Sequence, residues 1–220
     1  MHPTALLFDM DGLMFDTERL VLAAWRQAVV EAGYPARDEV FLECVGRNAE
    51  ATDQVVRAAY GPDFPLETVN RRTNQVIWQR INREGVPLKP GLLPLLDYLE
   101  AQGVPRAVAS STERPIVERL LAQTGLRSRF AAVVGGDEVP RSKPAPDIFL
   151  LAAQRLGVEP ARCLVLEDSE PGARAGLAAG MAVVVVPDLK PPSAEVVRQV
   201  VAVLPSLEAV LVWLAQDGHD

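Results

Sequence analysis

Cysteine, histidine and lysine are scarce in this chain of 220 residues. Cys44 and Cys163 are the two cysteines, too few for a disulfide framework or a thiolate metal site, and both read as single buried thiols. The two histidines, His2 and His219, stand near the ends and are expected in solvent rather than at a reaction centre. Only Lys89, Lys143 and Lys190 are lysines among the 22 basic residues; the rest are arginine. Positive charge is also short overall: the net charge is −7 and the pI about 5.0, so no broad surface draws nucleic acid or an anionic membrane. An anionic ligand must therefore meet a local cationic site or a metal. No apolar run is long enough to span a bilayer, and the polar start Met1-His2-Pro3-Thr4 does not read as a signal peptide. The expectation is a soluble, cytoplasmic protein.

What is present is an ordinary globular composition, 49% hydrophobic and 23% charged. Ala5–Phe8 is a short apolar run that stops at Asp9 and reads as a buried strand. Helical spacing then covers residues 17–32, 38–44, 49–60 and 66–84, with no convincing strand between them. Trp25 and Trp78 are expected in the core of this helical stretch. After Lys89-Pro90-Gly91 the pattern alternates. Strands are predicted at 106–109, 131–134, 163–166 and, as the last one, 182–186. The helices between them are predicted at 92–102, 113–123, 147–156 and 172–179, and two helical stretches end the chain. Non-alternating apolar strands separated by helices imply a doubly wound, Rossmann-like parallel sheet of the α/β class. The organisation predicted is an α/β core domain of residues 1–16 and 89–220, with an all-α domain of residues 17–88 inserted into it.

Ligands of open parallel sheets bind beyond the carboxyl ends of the strands. Four such ends lead into polar residues here: Asp9-x-Asp11-Gly12, Ser110, Lys143 and Glu167-Asp168. Each has a bland explanation. Asp and Gly suit turns, a serine can end a strand, a loop lysine can be solvated, and Glu167-Asp168 can open a helix as cap and acidic first turn. Four coincidences in succession are harder to accept. Converging carboxylates of Asp9, Glu167 and Asp168 would repel one another without a cation, and Mg²⁺ accepts such oxygens. An ionised Asp9 can attack phosphorus, Lys143 and Ser110 can share phosphoryl charge, and Asp11 can move the leaving-group proton.

In this order, Phe8-Asp9-Met10-Asp11-Gly12, Ala109-Ser110-Ser111, Ser142-Lys143-Pro144-Ala145-Pro146-Asp147 and Leu166-Glu167-Asp168-Ser169 resemble the four motifs of the haloacid dehalogenase superfamily. The insertion between the first two motifs is similar to that family's helical cap, so the resemblance covers essentially the whole chain. It implies Asp9 as nucleophile, Asp11 as general acid and base, and Lys143 and Ser110 as partners of phosphate and nucleophile, with Ser111 and Gly12 beside the phosphate. It implies Mg²⁺ held by Asp9, the Asp11 backbone carbonyl and Asp168, with Glu167 either a direct ligand or one step removed. Arg47-Asn48, a polar pair after Gly46 between helices, reads equally as a substrate contact or a surface loop.

The similar branch contains phosphatases and β-phosphoglucomutases. The resemblance puts Val21 where the mutase has a cap histidine, Ala49 where it has an arginine, and Glu113-Arg114 where it has a Lys-Asn pair. Those differences favour hydrolysis of a small phosphorylated metabolite, such as a sugar phosphate, over phosphoryl shuttling, although Arg47 or Arg114 can still serve a second phosphate. Relatives that cleave phosphonates use a cap lysine, and residues 17–88 contain none. Relatives that remove halide lack an acid at the place of Asp11. A mutase and a non-catalytic binding protein on the same fold stay open as alternatives. The natural substrate and the oligomeric state are not written in these motifs.

Overall fold

The apolar run before Asp9 forms β1 (Ala5–Phe8), every residue of which is buried. The computed structural model describes residues 3–45 and 49–217. Arg47 and Asn48 therefore lie outside the described residues, as do His2 and His219. The remaining strands are β2 (Arg106–Ala109), β3 (Ala132–Val134), β4 (Cys163–Glu167), β5 (Ala182–Val185) and β6 (Ala202–Val203). They form one sheet in the order β3-β2-β1-β4-β5-β6, with every neighbouring pair parallel. The order runs outward in both directions from β1, so the chain changes side there, which is where doubly wound sheets bind ligands.

The helices are α1 (Thr17–Glu31), α2 (Asp38–Cys44), α3 (Ala49–Tyr60), α4 (Leu66–Glu84), α5 (Leu92–Ala101), α6 (Arg114–Gln123), α7 (Asp147–Leu156), α8 (Glu170–Ala178), α9 (Ala194–Val197) and α10 (Leu207–Asp217). Among the described residues none is long and apolar enough to cross a membrane.

The chain divides into two compact units, Met1–Asp16 with Leu88–Asp220, and Thr17–Pro87. In the first, the strands are apolar on both faces because helices cover both. Ala5, Leu7, Ala107, Val165 and Val183 share one buried layer with Ile148, Phe149 and Ala152 of α7 and Ala173 of α8. Leu6 and Phe8 point the other way, as the two-residue period of a strand requires, and Phe8 meets Phe130 edge-on at 5.7 Å. Gly91, at φ 81°, opens α5 against α10; a Cβ there would lie 2.5 Å from the Glu208 nitrogen.

In the second unit α1 packs against α4, and Arg72 of α4 holds Glu31 of α1 at 2.6 Å. Trp25 sits in an aromatic cluster with Phe41 and Tyr60, and Tyr60 stacks on Phe64 at 4.6 Å. Trp78 does not join them. It is half-buried and lines a surface hollow, because its place on α4 lies off the stripe of Val69, Thr73 and Val76 that is buried.

Three further expectations change. Val185 ends β5, but β5 is not the last strand: Val201 and Leu204 donate to Val183 and Val185 and so place β6 at the sheet edge. Two paired residues are too short to show a period. Helix α8 begins at Glu170 rather than Gly172, since Ser169 accepts from the Gly172 amide as its N-cap. Cys163 is buried as expected, whereas Cys44 is only half-buried.

Candidate active site

Strand register assembles the site. Phe8 lies opposite Val108 of β2 and Leu166 of β4. One residue further along, Asp9, Ala109 and Glu167 therefore stand level at the carboxyl end of three adjacent strands. The Asp9 amide continues the ladder by donating to the Leu166 carbonyl at 3.0 Å. Lys143, from the loop between β3 and α7, reaches all three. Its Nζ donates to Asp9 Oδ1 at 2.5 Å, Glu167 Oε1 at 2.7 Å and the Ala109 carbonyl at 3.1 Å. The same ammonium stands 4.8 Å from the centre of the Phe149 ring, a favourable approach for a cation.

Burial sets the charge states. The side chains of Lys143, Asp9 and Glu167 are 5%, 9% and 0% exposed. Burial pushes the Asp9 carboxyl well above the usual range; the Lys143 ammonium opposes this, while Glu167 and Asp11 add to it. Burial also works against the Lys143 ammonium, but Asp9 and Glu167 outweigh it and hold its pKa above the ordinary lysine value. The lysine is thus a fixed cation between two buried acids.

Glu167 is held at both ends. Its Oε2 accepts from the Asp168 amide at 3.0 Å, the Ser169 amide at 3.0 Å and the Ser169 hydroxyl at 2.8 Å. The cap of α8 is therefore Ser169, with Glu170 as the acidic first turn. Glu167 and Asp168 precede the cap, so helix capping does not account for them. Two glycines make room for this pair. A Cβ at Gly172 would stand 1.7 Å from Glu167 Oε1, and one at Gly12 would stand 2.2 Å from Asp168 Oδ2. Gly12 also has φ +82°, a conformation that favours glycine, and its amide donates to the Phe15 carbonyl at 2.9 Å. Its visible contribution is therefore clearance for Asp168 and a tight turn.

Asp11 faces β2. Its Oδ2 accepts from Thr112 Oγ1 at 2.8 Å and from Ser110 Oγ at 3.3 Å. Ser110 is buried, and its hydroxyl also accepts the Thr112 amide at 3.1 Å. Thr112 is a site residue that the motifs did not single out; its signal was the polar run Ser110-Ser111-Thr112 directly after a buried strand. Ser111 is exposed on the same loop, and its carbonyl packs so closely on Gly136 that a Cβ there would stand 2.1 Å away.

This loop is buckled to the one after β3. The Arg114 amide donates to Asp137 Oδ1 at 2.6 Å, and the Arg114 guanidinium to Glu138 Oε1 at 2.9 Å. Glu138 also accepts from Arg155 at 2.7 Å and from the Gly135 amide at 2.9 Å. The Arg155 hydrogen bond, with those of Gly135 and Arg114, draws its carboxyl down to about 2.

Asp9, Glu167 and Asp168 each offer a carboxylate oxygen, all within 4.8 Å of one another. This is a hard oxygen set of the type that divalent cations such as Mg²⁺ take. With Asp11 nearby, four carboxylates share one lysine, so a cation suits the charge as well as the donor chemistry.

The chain is similar to known proteins over most of its length. The fructose-1-phosphate phosphatase YqaB of Escherichia coli K12 is 36% identical over 178 residues, 80% of this chain and 92% of that protein. A crystal structure of a putative β-phosphoglucomutase from Thermotoga maritima superposes with a TM-score of 0.79 at 28% identity, covering 96% of this chain and 98% of that one. One of a haloacid dehalogenase family hydrolase from Deinococcus radiodurans R1, with bound phosphate and sodium, gives a TM-score of 0.80 at 30% identity over 99% and 97%. The family model for haloacid dehalogenase-like hydrolases matches residues 3–180, from the strand that leads into Asp9 to beyond the helix capped by Ser169, and the chain belongs to that family.

Proposed function

We propose that this protein is a Mg²⁺-dependent phosphomonoester hydrolase that turns over a small phosphorylated metabolite, such as a sugar phosphate, through an aspartyl-phosphate on Asp9, with residues 17–88 as its cap. The observation that carries the reading is the Asp9 carboxylate held against Lys143 where β1, β2 and β4 end together. The name of the Escherichia coli relative gives it a substrate class.

Asp9, Asp168 and the Asp11 backbone carbonyl would hold Mg²⁺. Glu167 acts chiefly one step away, because its two oxygens already accept four hydrogen bonds. Bound Mg²⁺ supplies positive charge to the carboxylates and to the phosphoryl oxygens. An Asp9 oxygen attacks phosphorus and forms the new P–O bond while the bond to the leaving oxygen breaks. Asp11 delivers the proton that this oxygen needs. Water then attacks the same phosphorus, Asp11 takes its proton, and Asp9 departs as carboxylate. Thr112 and Ser110 hold one Asp11 oxygen and so fix the carboxyl group beside the end of β2. Lys143 and Ser110, with Ser111 beside them, balance charge on the phosphoryl group.

The mutase reading is kept alive by the name of the Thermotoga maritima structure. Against it, the guanidinium of Arg114 is already engaged by Glu138 at 2.9 Å and Glu118 at 3.6 Å. Incubation of fructose 1-phosphate or glucose phosphates with protein and Mg²⁺, followed by ³¹P NMR, tests the proposal. Inorganic phosphate without an isomeric sugar phosphate is expected. Isomer outpacing phosphate once a bisphosphate is added would favour the mutase, and no conversion of any phosphomonoester would refute both.

A further inference from the structure

Helix α6 starts without a cap of its own. Glu113 stands at its N-cap position, but the Glu113 side chain makes no cap hydrogen bond. The amide of Arg114, the first helical residue, donates instead to Asp137 Oδ1 at 2.6 Å, on the loop after β3. The guanidinium of the same arginine donates to Glu138 Oε1 at 2.9 Å. Main chain and side chain of one residue are thus held by two successive acids of another loop.

The holding loop is itself fixed. Glu138 has a side chain only 18% exposed. Its two oxygens accept from Arg155 at 2.7 and 3.1 Å and from the Gly135 amide at 2.9 Å. Arg155, on α7, also donates to the Val133 carbonyl at 2.6 Å, which ties Glu138 to the buried strand β3. Asp137, by contrast, is exposed, so its bond to Arg114 carries no buried packing with it.

The held loop leads to the reaction centre. Two residues before Arg114, Thr112 is engaged in three ways. Its carbonyl accepts the Gly136 amide at 2.9 Å, its amide donates to Ser110 Oγ at 3.1 Å, and its hydroxyl donates to Asp11 Oδ2 at 2.8 Å. The two loops touch backbone to backbone. A Cβ at Gly135 would stand 2.2 Å from the Arg114 nitrogen, and one at Gly136 2.1 Å from the Ser111 carbonyl oxygen. At such packing a shift of one loop must be taken up by the other.

We propose that Asp137 and Glu138 are positioning residues for the proton transfer assigned to Asp11: they hold the start of α6 so that Thr112 keeps its hydroxyl on the Asp11 carboxyl. Both act through Thr112 rather than on the reacting group. The inference rests on the phosphatase reading above.

Asp137→Ala removes the main-chain tether. Arg114→Met removes the side-chain tether and leaves the bonds of Glu138 to Arg155 and Gly135 in place. Phosphate release from fructose 1-phosphate, whose alkyl leaving group needs a proton, is compared with the burst of p-nitrophenolate from p-nitrophenyl phosphate, whose leaving group does not. Each variant should lose about threefold or more in kcat on fructose 1-phosphate, the size of a weakened hydrogen bond. KM and the burst rate should each change by less than about twofold. Asp137→Asn, which retains an acceptor oxygen, should recover most of the loss. A double-mutant cycle reads the coupling: in Thr112→Val, adding Asp137→Ala should cost less than about 1.5-fold. Urea midpoints check that every variant is folded under assay conditions.

Equal losses on both substrates, or losses that multiply with that of Thr112→Val, would make the two acids a structural clasp and overturn the inference, with the phosphatase intact. So would unchanged kinetics in both tether variants. A native protein active on p-nitrophenyl phosphate and on no alkyl phosphate would remove the proton-transfer role and the inference with it. A native protein that releases phosphate from no phosphomonoester refutes the phosphatase reading itself.

Discussion

Lys143 Nζ stands 2.5 Å from Asp9 Oδ1 and 2.7 Å from Glu167 Oε1, all three side chains at most 9% exposed. One ammonium is therefore shared between two buried acids on neighbouring strands. Lys143→Met keeps most of the side-chain volume but leaves the acids facing each other. Breaking a buried pair from one side costs about 3–5 kcal/mol. Thermal unfolding without divalent metal should show a midpoint several degrees lower, and phosphate release should fall to background. An unchanged midpoint would show that the acids are neutral or solvated there.

Asp9→Asn should abolish turnover while circular dichroism stays native. The amide is nearly isosteric, but it is a poor nucleophile. Multiple turnover by a sample of verified mass would rule out the covalent route.

Thr112→Val removes the shorter of the two hydrogen bonds to Asp11 Oδ2, 2.8 Å against 3.3 Å from Ser110. A single such bond contributes about 1 kcal/mol, so kcat for a poor leaving group should fall several-fold. A good leaving group such as p-nitrophenolate needs no proton, so the first step with p-nitrophenyl phosphate should be rescued. Burst kinetics separate the two steps. Equal slowing of bond breaking with both substrates would contradict a proton-transfer role for Asp11.

Gly172→Ala should be costly even though alanine favours helices. Its Cβ would stand 1.7 Å from Glu167 Oε1, so Glu167 must leave either Lys143 or the Ser169 cap. Overpacking of this kind costs about 1–3 kcal/mol. Urea denaturation should show that loss, and activity should drop by more than tenfold. Gly180→Ala is the comparison: nothing lies within 4 Å of a Cβ there, although φ +73° makes the backbone strained. It should lose stability but keep activity once folded.

Glu138 gives a pH-dependent contribution. Its folded pKa is about 2, below the ordinary 4.5, chiefly through Arg155. A depressed carboxyl stabilises the fold above the unfolded pKa, and the contribution fades as pH falls through the folded one. The urea midpoints of the native protein and Glu138→Gln should therefore differ at pH 7 by about 1–2 kcal/mol of stability. The gap should narrow between pH 4.5 and 2. A gap that widens on acidification would reverse the sign and refute the assignment.

Much of this architecture could be read from residue order. Apolar runs that end in Asp9, Ser110 and Glu167-Asp168 already implied parallel strands with a shared polar edge, because a strand buried on both faces leaves only its ends for chemistry. What could not be read was local competition. Glu167 and Asp168 looked like a cap because acids suit helix starts, and only the Ser169 hydroxyl on the Gly172 amide shows that the cap lies further on. Thr112 was hidden because a threonine after a strand is common, and its meaning comes from Asp11, 101 residues away. Trp78 was misplaced because helical spacing says which residues share a face but not which face is covered. The strand β6 was missed because two residues carry no period.

The level ends of β1, β2 and β4 have a practical consequence for anyone refolding this protein. Side chains alternate along a strand, so a slip of β1 by one residue would turn Asp9 to the opposite face of the sheet. Such a molecule could show full helix and strand content and still lack Asp9 beside Lys143, which would keep only Glu167 and the Ala109 carbonyl. Far-ultraviolet signal would count it as folded, whereas phosphoryl transfer to Asp9 would not. On the proposed aspartyl-phosphate route, the fraction of chains that take phosphoryl at Asp9 would report the fraction with the central strand in register.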